Sequence, residues 1–111
     1  ALVLATDYDL QDIITVNLER AVQICVDIGL HIISESELQP PATMGEVFRS
    51  LCKLAVMDSD LSERMVKAVG FRNTAVHAYQ EIDWNIVFAI ITTRLGDFGQ
   101  FAQCILKRVY D

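Results

Sequence analysis

The feature that most constrains this chain is a helical spacing of apolar residues that runs through most of its length. From Leu10 the set Leu10, Ile13, Ile14, Leu18, Ala21, Val22, Cys25, Ile28 and Ile32 advances mostly by three or four positions, the repeat of one helix face. Sustained period-two alternation is missing, as are the Asn-Gly and Asp-Gly pairs of tight hairpins, so no sheet is expected. The first helix is predicted to reach about Ser34, opened by Thr6 with Asp9 in its first turn, where the helix dipole favours an acid. Residues 35–42 contain Pro40 and Pro41 and form a connection, because paired prolines forbid a continuing helix. Thr43 with Glu46 reads as a capping box for a second helix through Val47, Phe48, Leu51, Leu54 and Ala55 to about Met57. Asp58, Ser59 and Asp60 make a turn, and a third helix from Leu61 carries Met65, Val66, Val69 and Val76 on its apolar side. Asp83 is a cap for a last helix from Trp84 to about Tyr110, whose expected buried stripe is Ile86, Val87, Ile90, Ile91, Leu95, Phe98, Phe101, Ala102, Ile105 and Leu106. Four helices with short connections predict an all-α, up-and-down antiparallel bundle.

Length and composition narrow the class further. A chain of 111 residues builds one domain. With 52% apolar residues and only 2 Pro it is no disordered segment. The longest uncharged run, residues 84–93, is ten residues where a membrane span needs about 20, so no membrane association is expected. Three widely separated cysteines without a CxxC suggest neither disulfides nor zinc, and point to a reducing, cytoplasmic compartment. A net charge of −6 argues against a broad basic surface for nucleic acid. The charge is uneven, however: residues 49–72 hold Arg49, Lys53, Arg64, Lys67 and Arg72 against Asp58, Asp60 and Glu63.

One segment concentrates chemistry: Gly70-Phe71-Arg72-Asn73-Thr74-Ala75-Val76-His77-Ala78-Tyr79. Arg72 offers a permanent charge and a planar fork of donors to phosphate oxygens. The imidazole of His77 can take or give a proton, for example from a ribose 2′-hydroxyl. Asn73 lies four residues before His77 and can hold its ring or a phosphate, and Tyr79 presents a modifiable hydroxyl on nearly the same face as Arg72. Arg72 and His77 diverge by about 140° on one helix, so they converge on one atom more easily when two copies of the helix meet across a two-fold axis. The set supports RNA cleavage by internal 2′-hydroxyl attack, and no carboxylate or Cys/His cluster with metal-ligand spacing accompanies it, so neither metal nor cofactor is expected. Gly70 inside a helix implies either a bend or a close approach to the backbone. His31 is read as an ordinary structural histidine. Two other readings stay open: a noncatalytic helical adaptor that binds a nucleotide or a partner protein at Arg72, and a plain structural bundle.

The Rx4HxY pattern of Arg72, His77 and Tyr79 resembles the signature of the HepT toxins, a branch of the HEPN superfamily of helical ribonucleases. The resemblance extends to the first helix, to the Pro40-Pro41-Ala42-Thr43-Met44-Gly45-Glu46 entry of the second, and to Ile82-Asp83-Trp84 before the last. Family members often have an acidic residue where this chain has Ala78, and usually a further helix before the segment that starts at Ala1, so residues 1–111 are expected to be a single HEPN-like domain lacking an N-terminal helix. The resemblance implies a toxin of a toxin-antitoxin system: a homodimer whose composite cleft cuts tRNA or mRNA without metal, with Arg72 and His77 catalytic and Asn73 supporting. It also implies an MNT-type nucleotidyltransferase antitoxin that silences the toxin by transferring AMP to Tyr79.

Overall fold

The computed structural model describes residues 8–77, 82–85, 87 and 95–110. Among them the chain forms α1 (Tyr8–Ser34), α2 (Met44–Lys53), α3 (Ser59–His77) and α4 (Leu95–Tyr110), with no strand. Residues 84, 85 and 87 are helical too, with Asp83 before them as predicted: its Oδ1 accepts from the Asn85 N–H at 2.9 Å and its carbonyl from the Val87 N–H at 3.2 Å. Thr6, the expected opener of α1, lies outside the described residues.

The helices pack as a bundle around one main core. Val22, Val26 and Ile33 come from α1, Val47, Phe48 and Leu51 from α2, Leu61, Met65 and Val69 from α3, and Phe101 from α4. Each such side chain contributes about 1.5–3 kcal/mol on burial. Phe48 and Phe101 meet edge to face with ring centroids 5.7 Å apart, joining α2 to α4. Cys25 sits in this core, where burial pushes its thiol up to about 11. A smaller cluster of Leu18 and Val87, packed with Leu10, Ile14, Phe71, Ile82, Trp84 and Phe98, supports the second half of α3.

Gly29 explains how closely α1 and α2 approach. A Cβ at this position would stand 2.5 Å from Val47 Cγ1 and 3.1 Å from Leu51 Cδ1, so α2 seats its apolar ridge on the bare backbone of α1.

Several local features depart from the sequence expectation. The Thr43 hydroxyl accepts from the Glu46 N–H at 3.3 Å, but the Glu46 carboxylate turns to Arg49 Nη1 at 2.8 Å, so only half of the capping box forms. Helix α2 ends at Lys53, not near Met57. The Val56 N–H donates to the Leu51 carbonyl and the Ala55 N–H to the Cys52 carbonyl, each at 3.0 Å, with Ala55 at φ 59°. This is a Schellman stop built on alanine, with Val56 and Leu51 both buried beside it. Helix α3 starts two residues earlier than expected, because Asp58 Oδ1 accepts from the Leu61 N–H at 2.8 Å.

Some residues predicted for the core are instead on the surface. Ile13 is 58% exposed, and it joins Val16 and Ile24 on the side of α1 facing away from the bundle; Ile28 is partly exposed as well. Val76, Ala102 and Leu106 are also exposed. Of the stripe expected in the last helix, Val87 and Phe101 are buried, and Phe98 and Ile105 are half-buried. The side chains of Ile86, Ile90, Ile91 and Leu95 lie outside the described residues. No helix among the described residues is long and apolar enough to cross a membrane.

Candidate ribonuclease site on α3

Helix α3 carries the chemistry-bearing segment without interruption, through Gly70 to His77. The early part of the helix is anchored by Leu61, Ser62, Met65 and Val69, and the later part by buried Ala75 and half-buried Phe71. Buried and half-buried positions on one side leave the other side to solvent, which is why Asn73 and His77 are both exposed.

Arg72 is half-buried on the core-facing side. Its Nη1 donates to Asn73 Oδ1 at 3.4 Å, and no carboxylate pairs with it among the described residues. The guanidinium is therefore steadied by a neutral amide while its charge stays available to an anion. Asn73 accepts from the Arg72 side, and no hydrogen bond joins it to His77 among the described residues. Tyr79 lies outside the described residues.

The middle of the chain is less free a basic surface than its charge count suggested. Arg49 is shared between Glu46 at 2.8 Å and Glu63 at 3.4 Å. Arg64 is held by Asp97 Oδ1 at 2.9 Å and by Gln100 Oε1 at 2.9 Å, tying α3 to α4. Lys53, Lys67 and Arg72 are the cations of residues 49–72 without an ion pair among the described residues. The carboxylate partner of Arg64 is 33 positions away, and no local pattern signals it.

His31 sits apart from α3. Its Nε2 stands 2.9 Å from Glu35 Oε1 on the exposed end of α1, beside an open depression that Ile28, Ile32, Ile105 and Arg108 also line. Among the described residues no group of three or more His, Cys, Asp or Glu side chains is placed to hold a metal ion.

A family model described as Ribonuclease HepT-like matches residues 3–105. The mRNA nuclease HepT of Shewanella oneidensis is 37% identical over 99 residues, which cover 89% of this chain and 74% of that protein. The tRNA nuclease HepT of Aphanizomenon flos-aquae is 31% identical over 96 residues, covering 86% of this chain and 65% of its own length. Among solved structures, a tri-AMPylated Shewanella oneidensis HEPN toxin in complex with MNT antitoxin superposes with a TM-score of 0.90 at 35% identity, covering 95% of this chain and 79% of that one. A toxin-antitoxin complex with AMP-PNP gives a TM-score of 0.89, also at 35% identity, over 93% of this chain and 79% of that one. With most of its length matched by the family model and by both nucleases, the chain belongs to the HepT-like ribonuclease family.

Proposed function

We propose that this chain is the toxin of a toxin-antitoxin pair and acts as a metal-independent endoribonuclease, with Arg72 and His77 as its catalytic residues. The observation that carries the reading is the pairing of a carboxylate-free Arg72 with an exposed His77 at one end of α3, in a chain whose relatives are named nucleases. The two side chains leave the helix about 140° apart, so the working site combines two copies, as a two-fold dimer supplies.

The chemistry follows from the groups. A neutral His77 takes the proton of a ribose 2′-hydroxyl, whose oxygen attacks the adjacent phosphorus. The bond from phosphorus to the 5′-oxygen breaks, a protonated imidazole of the second copy returns a proton to that oxygen, and the products are a 2′,3′-cyclic phosphate and a 5′-hydroxyl. Arg72 stabilises the extra negative charge on the phosphoryl oxygens in the transition state. Asn73 supports by orienting Arg72. DNA is no substrate because it lacks the attacking hydroxyl.

Silencing is by an MNT-type nucleotidyltransferase antitoxin that moves AMP from ATP to the Tyr79 hydroxyl, releasing pyrophosphate. Each transfer adds a phosphodiester anion that competes with RNA for Arg72. The family resemblance and the AMP-modified toxin among the similar structures support this assignment. The three cysteines are free thiols, in keeping with action in the cytoplasm.

The test is RNA cleavage in EDTA by the purified chain and by His77→Ala. Cleavage by the first and loss in the second is the expected result; equal cutting by both removes His77 from the mechanism. The net charge of −6 favours a second reading, a noncatalytic adaptor that binds a nucleotide or the nucleotidyltransferase. Tight partner binding with no RNA turnover under any condition would select it.

A further inference from the structure

Nothing in the packing of the described residues explains Gly70. Glycine is a poor helix former, so a glycine in mid-helix calls for a reason. Gly29 has one in the side chain of Val47. Gly70 is exposed, its φ is not positive, and apart from its chain neighbours and the backbone of its own helix no described atom lies within 4 Å of the place a Cβ would take. Neither a turn nor a described neighbour demands glycine there.

Its surroundings on the helix surface supply the reason. At about 100° per residue Gly70 lies roughly 20° round the axis from His77 and roughly 60° from Asn73, so these three line one exposed strip about 10 Å long. Thr74 Oγ1 donates to the Gly70 carbonyl at 3.1 Å, which turns that hydroxyl down onto the backbone and keeps the strip low. Lys67, exposed and without an ion pair among the described residues, flanks the strip about 60° from Gly70.

We infer that Gly70 is an RNA-contact residue: the ribose-phosphate backbone beside the cleaved bond rests on the bare helix at Gly70, with Lys67 facing its phosphate, on the way to His77. This rests on the ribonuclease reading. RNA fits the position better than a second α3 does, because a helix seated over Gly70 would leave Arg72 about 160° away on the far side, outside any shared cleft. A strand laid along Gly70, Asn73 and His77 meets the imidazole directly, and the guanidinium that serves it comes from the other copy.

The experiment compares Gly70→Ala and Gly70→Leu with Gly99→Ala, an exposed helical glycine of α4 that likewise has open space around it. Binding of a fluorescein-labelled single-stranded RNA is measured in the His77→Ala background, cleavage in the otherwise unchanged chain, and oligomeric state and thermal midpoint for each. Gly70→Leu is expected to weaken binding and lower kcat/KM at least tenfold, and Gly70→Ala to do so less, with the thermal midpoint not lowered and the oligomeric state retained. Gly99→Ala leaves binding and cleavage as they were. Unchanged binding and cleavage in Gly70→Leu overturns the inference. Loss of the oligomer in step with activity also overturns it and puts a second copy's helix at Gly70. If the unmodified chain binds RNA without cutting it and Gly70→Leu weakens that binding, the contact stands and the nuclease reading fails. If the unmodified chain neither binds nor cuts RNA, both fail.

Discussion

Arg64 Nε lies 2.9 Å from Asp97 Oδ1, and this contact, backed by Arg64 Nη2 on Gln100, is the polar tie between α3 and α4 among the described residues. Asp97 is only 13% exposed and Arg64 28%, so the pair is shielded from solvent far more than the Arg49 links on the other side of α3. Arg64→Ala is expected to cost roughly 1.5–3 kcal/mol, the range for hydrogen bonds to charged groups, and Arg64→Lys to recover only part because lysine lacks the fork that reaches both partners. Urea unfolding checks both; an unchanged midpoint in Arg64→Ala would show the tie to be idle.

Substitutions at His77 and Arg72 test the proposed chemistry separately from folding. His77 is exposed and Arg72 pairs with no carboxylate among the described residues, so neither alanine variant should lower the unfolding midpoint appreciably. Cleavage in EDTA should fall about a hundredfold to ten-thousandfold in His77→Ala and about a hundredfold or more in Arg72→Ala. A variant that loses activity and fold together would point to a structural role.

Modification at Tyr79 has a mass signature. Incubation with ATP and the cognate nucleotidyltransferase should add one or more AMP units to the chain and none to Tyr79→Phe. Intact-mass spectrometry reads the result, and undiminished labelling of the phenylalanine variant refutes the assignment.

Gly29→Ala is expected to destabilise by roughly 1–3 kcal/mol, because the added methyl meets the β-branched Val47, which has little freedom to move aside. Thermal unfolding tests this directly. The same substitution at Gly70 meets no described atom, so opposite responses at two glycines would trace to packing and not to helix propensity.

Ala55→Gly should do the reverse of Gly29→Ala. At φ 59° the alanine pays the left-handed penalty of roughly 1 kcal/mol that glycine avoids, so stability should rise by about that amount. A fall would mean that the gain in unfolded-chain entropy outweighs the relief.

The same alanine shows where the sequence was readable and where it was not. Asp83 and Thr43 act as caps where their residue types suggest, since a cap is a local hydrogen bond between near neighbours. The end of α2 was missed because its stop uses alanine in place of glycine, leaving only the buried Val56 and Leu51 to mark it. Ile13 and Ile28 follow the helical period yet are partly or largely exposed, because periodicity gives an apolar side without saying how wide a neighbour covers it. At the site, residue types and spacing pointed to Arg72 and His77, whereas Asn73's attachment to Arg72 and the pairing of Arg64 with Asp97 depend on rotamers and on helix docking.

The fit of α2 onto Gly29 also carries an evolutionary consequence. Positions 29 and 47 share a single small volume, so they cannot drift independently: a lineage that gains a methyl on the first helix must give one up on the second, and each change alone is harmful where the two together are tolerated. Such compensation would leave a correlated trace between two positions eighteen residues apart.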